Sequence, residues 1–153
     1  MRIIKTIIVF IIIGLSSGCF LLEQDELMVC DYAGINGKMS YEVSYMKDEV
    51  HKITIVYEKD LSKIDSKLRK QKTKEYEKEV EGYNKVKGLD VEFLIDHDLG
   101  IIVIEVNTDV YDVEKDKQNI FLVDFNDHDF KTPKLIRDKL DENGFVCDPI
   151  VSE

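Results

Sequence analysis

The segment KMSYEVSYMKDEVHKITIVY, residues 38–57, decides the fold because apolar and polar side chains alternate on both sides of a short charged run. Alternation with a period of two is typical of a strand that buries one face. Within 38–46, the apolar face carries Met39, Tyr41, Val43 and Tyr45. Residues 52–57 alternate again, and the segment MKDEV, with three charged residues at its centre, turns the chain between the two. The segment therefore predicts a β-hairpin.

A long charged segment follows the hairpin. Residues 60–87 carry apolar side chains at helical spacing, and Gly88 ends the pattern, which predicts a long helix. These apolar residues are Leu61, Ile64, Leu68, Tyr76, Val80 and Tyr83. Six bases fill its first half and four glutamates its second: Lys63, Lys67, Arg69, Lys70, Lys72 and Lys74, then Glu75, Glu77, Glu79 and Glu81. This order opposes the helix dipole, so the sequence fits either one helix or two helices broken near Thr73. The basic half is either a patch for an anionic wall polymer or phospholipid, or a solvated face with i,i+4 ion pairs.

Further elements can be placed toward the C-terminus. Two strands are predicted at 89–95 and 101–107, joined by the loop DHDLG. A last helix begins with Thr132 as N-cap and Pro133 at its first position, and it stops at Gly144. Residues 145–147 then form a short strand, while 109–125 fit a strand or a short helix followed by one. This order predicts an α+β fold: an antiparallel sheet of hairpins with a long charged helix and a C-terminal helix packed on one face.

The N-terminus indicates the location of the protein. MRIIKTIIVFIIIGLSSGCF has two bases, an apolar run and small residues before Cys19, which is typical of a bacterial lipoprotein signal. Residues 1–18 would be the signal peptide, Cys19 would carry diacylglycerol, 19–29 would be a tether, and 30–150 would form one domain. The alternative is an uncleaved membrane helix at 3–22, which is long enough to span a bilayer. Both readings place the domain on the extracytoplasmic face of the cell membrane.

Charge and cysteine content limit the partners. The chain has 21 bases and 31 acids, a net charge of −10, and removing a signal with two bases and no acid makes it −12. Such a domain does not favour nucleic acid and is repelled by anionic headgroups. Beyond Cys19, Cys30 and Cys147 form an even pair, which in an exported protein indicates a disulfide, with two buried free thiols as the alternative.

Two Asp-His-Asp triplets are the candidate metal ligands. They comprise Asp96, His97 and Asp98, and Asp127, His128 and Asp129. Both triplets fall in predicted loops, where aspartate is common because its side chain bonds the turn backbone. Neither has EF-hand spacing nor the i,i+4 spacing of a helical zinc motif. We therefore favour solvated loops over a metal site, and the sequence indicates no cofactor.

Catalytic motifs are missing from the sequence. There is no GxSxG, P-loop or GxGxxG motif, and nothing in the sequence places His51, His97 or His128 beside a serine or threonine. The chain is therefore not expected to be an enzyme.

The chain resembles the YehR-like family of small bacterial lipoproteins in the order of its features. These are the lipoprotein signal, Cys30 before SYEVSYMKDEVHKI, the charged segment ending YNKVKGLDVEF, the strand pair after it, and LIRDKLDENGFVC with Cys147. The resemblance covers nearly all of 28–148. It implies an α+β lipoprotein domain and supports the cysteine pair, and it carries over no catalytic residues.

Two functions follow as expectations. The first is a lipid-anchored, non-enzymatic module that binds an envelope protein, peptide or small ligand. The second is a metal-dependent envelope enzyme or metal-binding protein that uses the two Asp-His-Asp loops.

Overall fold

One antiparallel sheet of six strands dominates the computed structural model, which describes residues 25–34, 37–113, 121 and 123–148. The strands are β1 (Glu26–Gly34), β2 (Gly37–Met46), β3 (Glu49–Asp60), β4 (Leu89–Asp96), β5 (Leu99–Asn107) and β6 (Val146–Cys147). Within these ranges there are two helices, α1 (Ser66–Tyr83) and α2 (Pro133–Glu142), and one 3₁₀ turn at Asp129–Lys131. The strand order across the sheet is β4-β5-β3-β2-β1-β6.

The predicted fold class is wrong, because the described chain is mostly antiparallel sheet with two helices. The sheet is not a set of hairpins: β3 pairs with β5, and β1 pairs with β6, so strands distant in sequence are neighbours. The charged helix packs on the sheet only through half-buried side chains such as Val80 and Tyr83. The helix covers only Ser66–Tyr83, because β3 extends to Asp60. It has no buried residue, because its apolar side chains are too sparse to form a continuous stripe.

The core lies on one face of the sheet. Strand β2 alternates as its sequence predicts, with Tyr41 and Val43 fully buried, and Ile53 and Ile55 of β3 lie on the same face. Helix α2 covers part of this face with Ile136 and Leu140. As predicted, Thr132 caps α2, since its hydroxyl accepts a hydrogen bond from the Leu135 amide at 3.3 Å, and Pro133 is at its start.

Aromatic side chains between β5 and α2 complete the core. Phe121, Phe125 and Phe130 contact one another with ring centroids 5.3–5.5 Å apart, and Tyr111 joins Phe121 at 5.6 Å. The buried Tyr41 hydroxyl donates a hydrogen bond to the Phe121 carbonyl. Where it is described, the stretch 109–125 has neither the helix nor the strand that its sequence allows. Its contribution is apolar surface, and each buried aromatic ring stabilises the fold by about 1.5–3 kcal/mol.

The predicted disulfide between Cys30 and Cys147 is confirmed. The two cysteines face each other across β1 and β6, and the Asp148 amide donates to the Val29 carbonyl at 2.8 Å. Because β6 has only two residues, the covalent bond is the main link that holds the C-terminal strand at the edge of the sheet.

Helix α1 runs along β4 and is fixed at both ends. At its start, Arg69 donates to the Asp98 carboxylate at 2.8 Å and to the Leu61 carbonyl at 2.9 Å. At its end, the Asn84 side chain accepts from the Val91 amide at 2.6 Å and donates to the Val91 carbonyl at 2.9 Å. Asn84 thereby occupies backbone groups at the open edge of β4. The helix is continuous through Thr73, so the alternative of two helices is wrong.

Candidate functional site: the exposed face of the sheet

The face of the sheet opposite the core carries aligned side chains from five strands. One row across β5, β3, β2, β1 and β6 consists of Val103, Val56, Ser40, Asp31 and Val146, as the strand register requires. Neighbouring strands lie about 4.8 Å apart, so this row is about 20 Å long. The next row is Ile101, Glu58, Lys38 and Ala33. We call these two rows, with the remaining side chains on the same side of the sheet, the exposed face.

A groove of about 490 Å³ lies on the exposed face where β3, β2, β1 and β6 meet. Its apolar part is formed by Val56, Ala33 and Val146, and its polar part includes Asp31, Lys38 and Glu58. Val146 is 76% exposed, which is unusual for a valine in a strand. An apolar surface with a few polar groups, in a volume of this order, is typical of ligand sites.

The exposed face is strongly acidic. It carries two lysines, Lys38 and Lys52, and nine carboxylates, on Asp31, Glu42, Glu49, Glu58, Asp60, Asp90, Glu92, Asp96 and Glu105. Lys52 and Glu105 form an ion pair at 2.7 Å, and Asp96 contacts His97. Within the ranges that the structure describes, the other seven carboxylates form no ion pair.

The first Asp-His-Asp triplet lies in the turn between β4 and β5, and its contacts are structural. Asp98 is paired with Arg69 of α1. Asp96 contacts the His97 Nδ1 atom at 2.6 Å, and the His97 side chain is 93% exposed. His97 also has a φ of 53°, which is the left-handed conformation of a tight turn. The triplet therefore shapes a turn and fixes the start of α1.

The second triplet shapes the loop before α2. The Asp129 carboxylate accepts a hydrogen bond from the Asn126 amide at 2.8 Å, and the Asn126 side chain accepts one from the His128 amide at 2.9 Å. These are the local side-chain to backbone bonds that favour Asp and Asn in turns. Asp127 and His128 are exposed.

The two triplets lie near opposite ends of β5. The first immediately precedes Leu99, whereas Asp127 lines a groove with residues 108–112, which follow Asn107. Nine strand residues separate these ends by about 25–30 Å. One ion cannot bridge that distance, so the triplets do not form a joint metal site. Among residues 25–34, 37–113, 121 and 123–148, no group of three His, Cys, Asp or Glu side chains is arranged to hold a metal.

His51 is the third histidine, and it lies at an irregularity of β3. Ser44 pairs with Lys52 and Tyr45 with Val50, so His51 is the extra residue of a β-bulge. Its Nδ1 atom is 4.0 Å from the Asp109 carboxylate, and its Nε2 atom is buried and has no hydrogen-bond partner among the described residues. Thr108 is the hydroxyl nearby in the fold, but it donates to the Val50 carbonyl at 2.6 Å. No nucleophile–base pair results there.

The basic first half of α1 is largely solvated. Lys72 donates to Glu75 at 2.8 Å, three residues away, and this hydrogen bond raises the pKa of the lysine and lowers that of the glutamate. Arg69 is committed to the turn between β4 and β5. The structure adds no geometric feature that selects an anionic polymer or phospholipid at this helix.

The predicted lipidation site, Cys19, and the signal at 1–18 lie outside the described residues. In the part of the chain that is described, no helix combines the length and the apolar character needed to cross a membrane. Lipidation therefore stays a prediction from the sequence.

Sequence reasoning did not find the groove. The sequence assigns the polar face of β2 to solvent. It does not show which residues of β1, β3 and β6 lie beside that face, because this depends on the strand register. Two runs in the sequence could have indicated apolar side chains on the face opposite the core. They are ITIV at 53–56 and IIVIEV at 101–106, which place apolar residues on both faces of their strands.

Comparisons with known proteins give the fold alone. No protein-family model matches the chain, and no curated protein sequence matches it. A protein from Streptococcus pneumoniae TIGR4, whose structure was determined by NMR, is similar in structure with a TM-score of 0.57 and 16% sequence identity. The similarity covers 88% of this chain and 94% of that chain. The resemblance to the YehR-like family is not tested by these comparisons and stays a prediction.

Proposed function

We propose that the protein is a lipid-anchored, extracytoplasmic binding module, without catalytic activity, that presents the exposed face of its sheet to a ligand at the cell envelope. The observation that carries this proposal is the groove of about 490 Å³ formed by aligned side chains of four strands. A rigid sheet holds such side chains at fixed spacing, so little conformational entropy is lost when a ligand binds.

Two features support the location. The sequence ending Ser-Ser-Gly-Cys19 has the pattern of a lipoprotein processing site. The Cys30–Cys147 disulfide belongs to the kind of bond that forms and persists in oxidising compartments, such as the outside of a bacterial cell.

The anchor also gives the domain an orientation. Only five residues separate Cys19 from Asp25, where the described chain begins, and the six steps from one to the other reach at most about 20 Å. The membrane would therefore lie near Glu26 and the turn between β2 and β3, since Glu26 pairs with Tyr45. Ala33, at the groove, lies about 23 Å further along β1. The groove would then face away from the membrane.

The anchor is tested by metabolic labelling with a radioactive fatty acid. The wild-type chain should take up label and fractionate with membranes, and Cys19→Ser should do neither. An unlabelled wild-type protein in the membrane fraction would instead support the uncleaved helix.

The binding surface is tested by site-specific photo-crosslinking in cells. A photoreactive amino acid replaces Ser40 in the groove and, as a control, Lys70 on the exposed side of α1. We expect adducts from position 40 under conditions where position 70 gives none. Equal adduct yields at the two positions, or none at position 40, would contradict a binding role for the exposed face.

A further inference from the structure

We propose that the ligand of the exposed face is an extended polypeptide segment that turns both basic and apolar side chains toward the sheet. This inference rests on the proposed function, because it names the ligand class of the same surface. Its evidence is the combination of an apolar track, unpaired carboxylates and an open strand edge.

The apolar track selects for apolar side chains in the ligand. Leu94 is 50% exposed, and Ile101, Val103 and Val56 continue from it across the sheet toward Val146. A ligand that covers this track removes apolar surface from water. A purely hydrophilic polymer would leave that surface without a favourable contact.

The carboxylates select for positive charge. Asp31 and Glu58 border the apolar part of the groove, and Glu92 is beside Val103 in the register of β4 and β5. Cationic groups of a ligand would pair with these acids in a partly apolar setting, where charge pairs are screened less than in bulk solvent.

The same charges exclude two other occupants. A second copy of this chain would bring two acidic faces together, and like charges in contact disfavour association. An anionic lipid surface would be repelled for the same reason.

An open edge of β1 favours a polypeptide over a small amine. Strand β6 pairs only with Cys30 and Asp31, so β1 continues past it to Ala33 beside the groove. On the side of β1 that faces β6, no strand in the described part of the chain pairs with Ala33. A segment that crosses the track to its β1 end can therefore add a main-chain hydrogen bond at Ala33 to its side-chain contacts.

The test measures peptide binding to the full chain in nanodiscs of neutral phosphatidylcholine, with empty nanodiscs as the blank. The probe, called the Lys-Val peptide, is a capped peptide of about eight residues with the repeat Lys-Lys-Val-Val. It spans about 26 Å when extended and presents both residue types on each side. Two comparison peptides have Glu in place of Lys (Glu-Val) and Ser in place of Val (Lys-Ser). We expect the Lys-Val peptide to bind at least ten times more tightly than either, and its affinity to fall as salt is raised.

Variants place the binding on the exposed face. Val56→Lys should weaken the Lys-Val peptide at least tenfold, whereas Val110→Lys, the same change at an exposed position after β5, should leave it within about twofold. Because Val56 is half-buried, Asp31→Lys/Glu92→Lys provides a second test at exposed positions, with Glu77→Lys/Glu79→Lys on α1 as its control.

The outcomes separate the two proposals. Equal binding of the Lys-Ser peptide, no binding of any peptide, or equal effects of test and control variants would overturn the inference. Tighter binding of the Glu-Val peptide with dependence on Val56 would overturn the ligand class and keep the exposed face as a binding surface. Failure of the crosslinking at position 40 would overturn the binding surface itself.

Discussion

Reduction of the Cys30–Cys147 disulfide should lower the free energy of unfolding by about 5 kcal/mol. The two cysteines are 117 residues apart in sequence, and the chain-entropy model gives about this value for a loop of that length. The two-residue strand β6 makes few contacts of its own that would compensate. At this domain size 1 kcal/mol corresponds to about 3–5 °C, so the melting temperature should fall by about 15–25 °C.

The assay is thermal unfolding followed by circular dichroism, with and without a phosphine reductant, together with thiol titration of the denatured protein. The Cys19→Ser background is used so that every titrated thiol comes from the bridge. The oxidised protein should show no thiol and the reduced protein two. Cys30→Ala/Cys147→Ala should melt near the reduced protein, and its native spectrum should be unchanged.

The reasoning is refuted if the oxidised protein already shows two thiols, since then no bridge exists. A reduced protein that melts within about 5 °C of the oxidised one would also refute it. In that case contacts of β6 and α2, rather than the covalent bond, would hold the C-terminus.

Further predictions concern single side chains. Val43→Asp should unfold the domain because it buries an unpaired carboxylate. Ser44→Asp, on the exposed face, should lower the free energy of unfolding in urea by about 1 kcal/mol or less. Equal losses of stability in the two variants would contradict the strand register. Tyr41→Phe should cost about 1–2 kcal/mol through its lost hydrogen bond. Burial raises the pKa of Tyr41 in the folded protein, so the free energy of unfolding should fall as pH rises above about 10, where the Tyr41 hydroxyl ionises in the unfolded chain. The fall should be smaller in Tyr41→Phe, and an identical fall would contradict this explanation. Asn84→Ala should speed hydrogen exchange of the Val91 amide, and unchanged exchange would show that the contact does not protect the β4 edge.

The parts of the fold that could be predicted from the sequence depend on local patterns. Met39 to Tyr45 alternate so clearly that their buried face follows from a period of two, and Thr132-Pro133 marks the start of α2 by capping chemistry. The disulfide could be inferred because an exported chain with two remaining cysteines has one intramolecular pairing available.

What could not be predicted depends on contacts between distant segments. Strand β1, ELMVCDYAG, has apolar residues on both faces, so Leu27 and Val29 hide the alternation of Met28 and Cys30. The pairing of β3 with β5 leaves no local signal, and neither does the burial of Phe121 under Tyr41. The groove needs residues from four strands, so its discovery requires the complete register. The helical spacing in 60–87 did predict a helix, but spacing alone does not show how little of it is buried.

The position of the disulfide also determines how the domain carries mechanical load. Tension applied between Asp25 and Asp148 passes along the first residues of β1 to Cys30, crosses the covalent bond, and leaves through Cys147. The groove and most of the core belong to the loop between the two cysteines, which lies outside this path. A pull between Asp25 and Asp148 would therefore extend only residues 25–30 and 147–148, about eight residues, and then stop at the covalent bond.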